Sequence, residues 1–433
     1  AKRRPVSSLD IKVPTFYELL EREGLRSIIV NLPVSYPPKI KEGIVITSLM
    51  TRGKNFIFPR KITLKVPELR HYRLTPDASL RVLGRMIDYI RDIRFVERIR
   101  FSCTIKLLKR FRWDFFFVLF SGTDWVHHIA YNRVFRNNSR DPILSEIFKL
   151  YKELDEYIEW LIKKVPNDTL VIIMSDHGFK TYQGLFSFNA WLRKEGFLKL
   201  RVTNISVHPH AIAKRESENK IVKPIARVIR ILMMSGGLQM LNSLGPLLPT
   251  VASKISHAIP LLANVDINWK PYIKETVAYS PDYNSHGIYI NSSDRFEDGI
   301  VDASDYDNIR LELIEKLSRL RSPLRRDKLF KAVLKKEQVF KGKELNKAPD
   351  ILVIPKDYSP TWGNPIVPLK EGEYNFHDQY GILILWHSST RDINYRMTHS
   401  HFANIYDIAP TVLEAFNIDA PSYMDGRSLI KFA

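Results

Sequence analysis

The sequence predicts an α/β domain with a doubly wound, mostly parallel sheet, helices on both faces and an inserted cap. Three observations lead there. Short apolar runs, Asp114–Phe120 and Thr169–Met174, are too brief for helices and carry no alternation, as expected of strands buried on both faces. Between them, Leu144–Lys164 places Leu150, Leu154, Ile158 and Leu161 on one helical side, which completes a strand–helix–strand rhythm. Residues 201–268 then break the rhythm with a basic stretch followed by one rich in Gly, Pro and Leu, which reads as an insertion or cap.

The elements follow in chain order. Thr15-Phe16-Tyr17-Glu18 reads as a capping box that opens a short helix, and Gly24 as its stop. Ser27–Val30 reads as a buried strand, so the chain enters on a helix and has no strand ahead of it. Ala78–Phe111 is helical by period: Leu80, Leu83, Ile87, Ile90 and Ile93 share one face. The other face carries Arg81, Arg85, Arg91, Arg94, Arg98 and Arg100 and is expected to be solvated rather than a nucleic-acid patch. Beyond the insertion, Gly287–Ile290, Ile351–Ile354 and Gly381–Leu385 read as strands, with a charged helix near 304–320. Asp407 is expected to cap a last helix.

Composition narrows the class. With 433 residues, 45% hydrophobic and 26% charged, the chain has the make-up of a globular protein with a sizeable core. One cysteine, Cys103, excludes an internal disulfide and fits a reducing compartment, so a cytoplasmic location is expected. The net charge of +19 favours phosphorylated substrates, polyanions or anionic surfaces, without choosing among them. No clear nucleic-acid motif is present. No apolar run is long enough to span a bilayer; the nearest, Ile231–Val265, is interrupted by Gly236, Gly237, Gly245, Pro246, Pro249 and Pro260.

Chemistry gathers where two of the apolar runs end, the edge at which open α/β sheets bind ligands. The first run leads into Gly122-Thr123-Asp124-Trp125-Val126-His127-His128, where a helical turn starting at Asp124 would place Asp124 and His128 on one face. The second leads into Ser175-Asp176-His177-Gly178. A carboxylate and imidazoles suit Zn²⁺, with Mn²⁺ or Fe²⁺ as alternatives. His377, just ahead of the third apolar run, reads on its own as a loop histidine more often than as a ligand. His399 and His401 form an H-x-H pair that a polar loop explains. His286 reads as a surface turn, His208 and His210 carry no clear signal, and Asp407 is read as a cap rather than a ligand. The basic residues between Arg319 and Lys343 read as solvated.

Taken in order, these segments resemble the type I phosphodiesterase/nucleotide pyrophosphatase family of the alkaline phosphatase superfamily, especially an archaeal phosphohydrolase branch. The resemblance is carried by Asn31-Leu32-Pro33, Tyr36-Pro37-Pro38, Thr123-Asp124 to His128, Ser175-Asp176-His177-Gly178-Phe179, Asn189-Ala190-Trp191-Leu192, Gly299-Ile300-Val301, Ala348-Pro349-Asp350, Asp407-Ile408-Ala409-Pro410-Thr411 and Met424-Asp425-Gly426-Arg427-Ser428-Leu429. It implies one alkaline-phosphatase-like α/β domain over 1–433 with 201–268 inserted. It implies two divalent metal ions: one held by Asp124, His128 and His377, the other by Asp176 and His177 with an aspartate from a first strand. It also implies a phosphorylated small-molecule or nucleotide-type substrate and in-line attack by a Thr or Ser. No segment before Thr15 matches the strand and nucleophile of that pattern. The expectation is therefore a truncated chain with no catalytic nucleophile of its own and little hydrolysis. A phosphomutase, or a non-catalytic metal- or polyanion-binding relative, are the alternatives.

Overall fold

The computed structural model describes residues 6–49, 51, 55–136, 140–207, 265–281, 286–323, 325–361, 368–387, 395–397 and 402–432. It is a mixed α/β protein with several sheets, consistent with an alkaline-phosphatase-like fold. The chain divides into two compact units: the first comprises residues 1–181 and 375–433, the second 182–374.

The first unit is built around strands β1 (Ser27–Leu32), β2 (Ile44–Thr47), β3 (Ile57–Phe58) and β4 (Phe115–Val118), ordered β3-β2-β1-β4. β1 runs parallel to both β2 and β4, while β3 is antiparallel at the edge. Alternation along β1 and β4 shows why both sheet faces need cover. Ile28, Val30, Phe116 and Val118 pack with Cys103 and Leu107 of helix α2 (Met86–Arg110), whereas Ile29, Phe115 and Phe117 pack on the other side with Tyr17 of helix α1 (Phe16–Arg22). α1 begins with the expected capping box: Glu18 accepts from the Thr15 N–H and hydroxyl, both at 2.8 Å, and Gly24 follows with φ +76°. Leu20, fully buried, packs with Val412 and Leu413 of the last helix, Ile408–Ala415.

Several expectations need correction. The long helix predicted over Ala78–Phe111 is two helices, Ala78–Val82 and α2, because Gly84 turns the chain with φ +73°. Its arginine face is not simply solvated. Arg100 is fully buried and donates to Glu97 at 2.5 Å, and Arg94 reaches Glu146 and Glu153 of helix α4 (Pro142–Lys164) at 2.5 and 2.6 Å. These arginines tie α2 to itself and to α4. The strands β4 and β5 (Leu170–Met174) exist, but every residue in them is half-buried, not fully covered on both faces. The third apolar run is a strand at Leu383–His387 rather than Gly381–Leu385, and it pairs antiparallel with β5. Ile382, Ile384 and Trp386 remain exposed at 60%, 50% and 37%. Asp407 does not cap the last helix through its side chain. Its buried carboxylate instead accepts from the N–H of Asn404 at 2.8 Å and of Arg427 at 2.9 Å, which fastens the terminal Met424-Asp425-Gly426-Arg427 segment.

The second unit has its own core. Four antiparallel strands, in the order Phe330–Lys335, Ile351–Pro355, Gly287–Ile290, Ala278–Tyr279, are covered by Leu313 and Leu317 of the helix Ala303–Arg319. The predicted insertion lies mostly outside the described residues; its two ends, Leu200–Val207 and Val265–Pro271, form an antiparallel pair. His208, His210, His399 and His401 also lie outside them. No helix among the described residues is long and apolar enough to cross a membrane.

Candidate metal centre

Backbone geometry at the end of β1 starts the site. Asn31 adopts φ +69°, and its buried side chain donates to the Leu119 carbonyl at 2.9 Å and to Ser121 Oγ at 3.2 Å. That holds the exit of β4 and the residue that opens helix α3 (Gly122–Val134). Gly122 leaves a close fit at this start. A Cβ there would stand 3.1 Å from Glu97 Cγ and 3.3 Å from side-chain atoms of both Ile93 and Leu150. The first turn of α3 is thus pressed against α2 and α4. Asp124 and His128 follow one turn apart on the same side, as their spacing predicts.

The strand β6 (Gly178–Ser187) begins just after Ser175-Asp176-His177. Gly178 and Gly381 make the approach possible: a Cβ on Gly178 would sit 2.0 Å from the Tyr380 carbonyl oxygen, and one on Gly381 2.4 Å from Ser175 Oγ. Ser175 Oγ in turn accepts from the Ile382 N–H at 2.8 Å. His377 comes from the end of the strand Leu369–Asp378.

These elements bring the predicted side chains together. Donor atoms of Asp124, His128 and His377 all lie within 4.8 Å of one another. Asp124 Oδ1 is 3.2 Å from His377 Nε2, 3.5 Å from His128 Nε2 and 3.7 Å from His177 Nε2. His177 is stacked on His377, with ring centroids 3.6 Å apart and planes 14° from parallel. Asp176 is placed differently. It is 70% exposed, with Oδ1 3.6 Å from His177 Nε2, and does not belong to the three-donor group.

Hydrogen bonds set the direction of the imidazoles. His177 Nδ1 stands 3.0 Å from the Gly178 carbonyl, which can only accept, so the ring carries its proton on Nδ1 and presents the Nε2 lone pair to the cluster. His128 Nε2 and His377 Nε2 face each other at 3.0 Å. Two neutral Nε2 lone pairs at that distance repel unless a proton or a cation lies between them. Asp124 Oδ1 points the same way: it is buried and accepts no well-aligned hydrogen bond. A buried carboxylate oxygen among imidazole lone pairs is a costly arrangement by itself. A divalent cation satisfies Asp124 Oδ1, His128 Nε2 and His377 Nε2 at once, so these three residues fit the metal that the sequence implied.

The electrostatics agree. Burial alone would raise the Asp124 pKa, but the close approach of His377, with the charges of His128 and His177, brings it below the usual carboxylate value. Burial pushes His128 down, and the neighbouring His377 adds to that against the pull of Asp124. Both groups are therefore in ligand form near neutral pH.

An aromatic wall surrounds the centre. Phe179 sets its ring edge-on to His127, His128, His177 and His377 at centroid distances of 4.9, 5.0, 5.5 and 5.1 Å. His127 points away from the donors to the Tyr151 hydroxyl, and burial pushes its pKa down to about 4. Phe179 follows S-D-H-G directly, but nothing in the sequence points to its packing against the four histidines.

The chain matches no curated protein and no solved structure. Residues 5–239, more than half of the chain, match the family model described as Type I phosphodiesterase / nucleotide pyrophosphatase. The matched span contains Asp124, His128, Asp176 and His177, and His377 joins them from beyond it. With that match, the chain belongs to the type I phosphodiesterase/nucleotide pyrophosphatase family.

Proposed function

We propose that Asp124, His128 and His377 hold a divalent metal ion, and that the chain serves hydrolysis of a phosphodiester, pyrophosphate or phosphomonoester bond. The observation that carries the reading is the buried Asp124 Oδ1, ringed by three imidazole Nε2 atoms at 3.2–3.7 Å and without a well-aligned hydrogen bond. The donor set suits Zn²⁺, with Mn²⁺ or Fe²⁺ as alternatives. Asp176 and His177 are assigned to a second ion beside the first. When bound, such ions polarise a phosphoryl oxygen and neutralise the charge that develops on it.

The chain's own groups prepare the site. Asp124 contributes the negative charge, and His128 and His377 contribute neutral nitrogen donors. The Gly178 carbonyl keeps the His177 proton on Nδ1, away from the cluster. The formal charge of +19 favours the approach of a phosphorylated small-molecule or nucleotide-type substrate. No attacking hydroxyl is assigned among the described residues. A second reading, a metal-binding relative without catalysis, draws on the single three-donor group among the described residues.

The test is metal content of the purified chain by mass spectrometry, beside an Asp124→Ala/His128→Ala double variant. About one tightly held divalent ion, lost in the variant, supports the centre. Absence of bound metal after incubation with Zn²⁺, Mn²⁺ or Fe²⁺ overturns it. Release of nitrophenol from bis(4-nitrophenyl) phosphate then separates the enzyme from the non-catalytic relative.

A further inference from the structure

Three segments supply the donors of the centre: α3 carries Asp124 and His128, the turn before β6 carries His177, and the end of the strand Leu369–Asp378 carries His377. One side chain bonds to both of the other segments from within the third. Asn375 lies two residues before His377. Its Oδ1 accepts from the Asn132 N–H of α3 at 3.1 Å and from the Thr181 hydroxyl of β6 at 3.0 Å. Its Nδ2 donates back to Asn132 Oδ1 at 3.1 Å.

The helix is shaped to receive it. α3 is kinked at Ala130, where φ is −147° and ψ is 21°. In an uninterrupted helix, the Asn132 N–H would bond to the carbonyl four residues back, at His128. Asn132 lies two residues beyond the kink, and its N–H bonds to Asn375 Oδ1. One side chain thus ties the kinked end of α3 to the start of β6 from a position two residues before His377.

We propose that Asn375 is the positioning residue of this centre, setting the separation of Asp124, His128, His177 and His377 through its bonds to Asn132 and Thr181. The proposal rests on the metal reading above. Loss of a bond that orients ligands from outside the coordination sphere typically weakens metal affinity about 10–100-fold.

Co²⁺ titration of the purified full chain tests it, read through affinity and the visible d–d band of the bound ion, with thermal melting of the metal-free protein alongside. Asn375→Ala is expected to lower Co²⁺ affinity about 10–100-fold and to shift or weaken the band, while the metal-free melting temperature changes little. Asn132→Ala and Thr181→Val each remove one bond and are expected to cost about fivefold each. Equal affinity and an identical band in Asn375→Ala overturn the proposal. If Asn375→Ala does not fold, the two milder variants decide: unchanged affinity and band in both overturn it, and graded losses in both support it. No Co²⁺ uptake by the unmodified chain overturns the metal reading and the proposal together, an outcome distinct from uptake that is indifferent to Asn375.

Discussion

Each unit shields a carboxylate oxygen from solvent, and the two treat it in opposite ways, although the Asp124 side chain as a whole is 35% exposed and that of Asp350 is not exposed at all. In the second unit, Asp350 is fully buried and saturated. Oδ1 accepts from Arg295 Nη1 at 3.0 Å, Tyr306 at 2.7 Å and Lys336 at 2.8 Å, and Oδ2 accepts from the Ile290 N–H at 2.8 Å. In the first unit, Asp124 Oδ1 is buried among imidazoles that approach no nearer than 3.2 Å. A carboxylate whose lone pairs are all engaged by protein donors supports the fold and has nothing left to offer a ligand. A carboxylate oxygen shielded from water with capacity unspent, as Asp124 Oδ1 is, is the kind of atom a cation completes. The comparison distinguishes a structural acid from a candidate ligand on bonding alone.

The largest expected effect falls on the saturated acid. Asp350→Ala leaves Arg295 and Lys336, only 15% and 13% exposed, without their counter-charge. Breaking a buried ion pair from one side costs about 3–5 kcal/mol. Denaturant unfolding should show a loss of that size; a loss under about 1 kcal/mol would mean that the cluster is solvated in solution, as for exposed ion pairs. Asp124→Asn reverses the pattern. At pH 8, where free imidazoles are neutral, the metal-free variant is expected to melt within a few degrees of the parent chain, because the imidazoles that lower the Asp124 pKa carry no charge there. Its Zn²⁺ affinity should fall by at least about 100-fold, since a ligand itself is altered, not merely a group that orients one. A variant that melts markedly earlier and still binds Zn²⁺ would place Asp124 in the same class as Asp350.

That contrast also marks what was legible in the sequence. The strand ends carrying Asp124, His128, Asp176 and His177 were readable because an apolar run that stops at polar, metal-competent residues is a local pattern. His377 was readable only through resemblance; its approach to Asp124 depends on Gly178 and Gly381, whose need for space appears only once the Tyr380 carbonyl and Ser175 stand beside them. Helix boundaries slipped where a single residue decided them, as at Gly84. The arginine face of α2 was misread because charge pattern says nothing about which acids α4 brings opposite: Glu146 and Glu153 lie more than fifty residues downstream of Arg94. Asp350, read only as part of a motif, gave no sign of its role, since all of its partners come from other segments.

A smaller effect tests the support under α3. Gly122→Ala places a methyl 3.1 Å from Glu97 Cγ and 3.3 Å from Ile93 and Leu150 side-chain atoms. Overpacking of this kind typically costs about 1–3 kcal/mol. Glu97 is fully buried, paired with Arg100 at 2.5 Å, and has little room to retreat. Denaturant unfolding should report the loss. If the helix start shifts to relieve the clash, Zn²⁺ affinity falls with it; if the neighbours give way instead, stability drops while affinity holds.

The smallest effect is expected at Cys103, and it sharpens the comparison between the units. Its side chain is fully buried beneath Ile28, Val30, Ile44 and Ile46, and burial pushes the thiol up to about 12, with Glu68 adding to the rise and Arg100 opposing it. At pH 8, about one thiol in ten thousand is then ionised, and the thiolate is the reactive form. The native chain should react negligibly with a thiol-specific disulfide reagent and release one equivalent after unfolding in guanidinium. Labelling of Cys103 therefore follows opening of the first unit. Every bonding partner of Asp350 named above lies in the second unit. In Asp350→Ala, labelling is expected to stay as slow as in the parent chain under conditions where the second unit has begun to melt. Labelling that accelerates in step with that melting would show that the saturated acid stabilises both units, and that the contrast between the two carboxylates lies in their bonding and not in the part of the chain they hold.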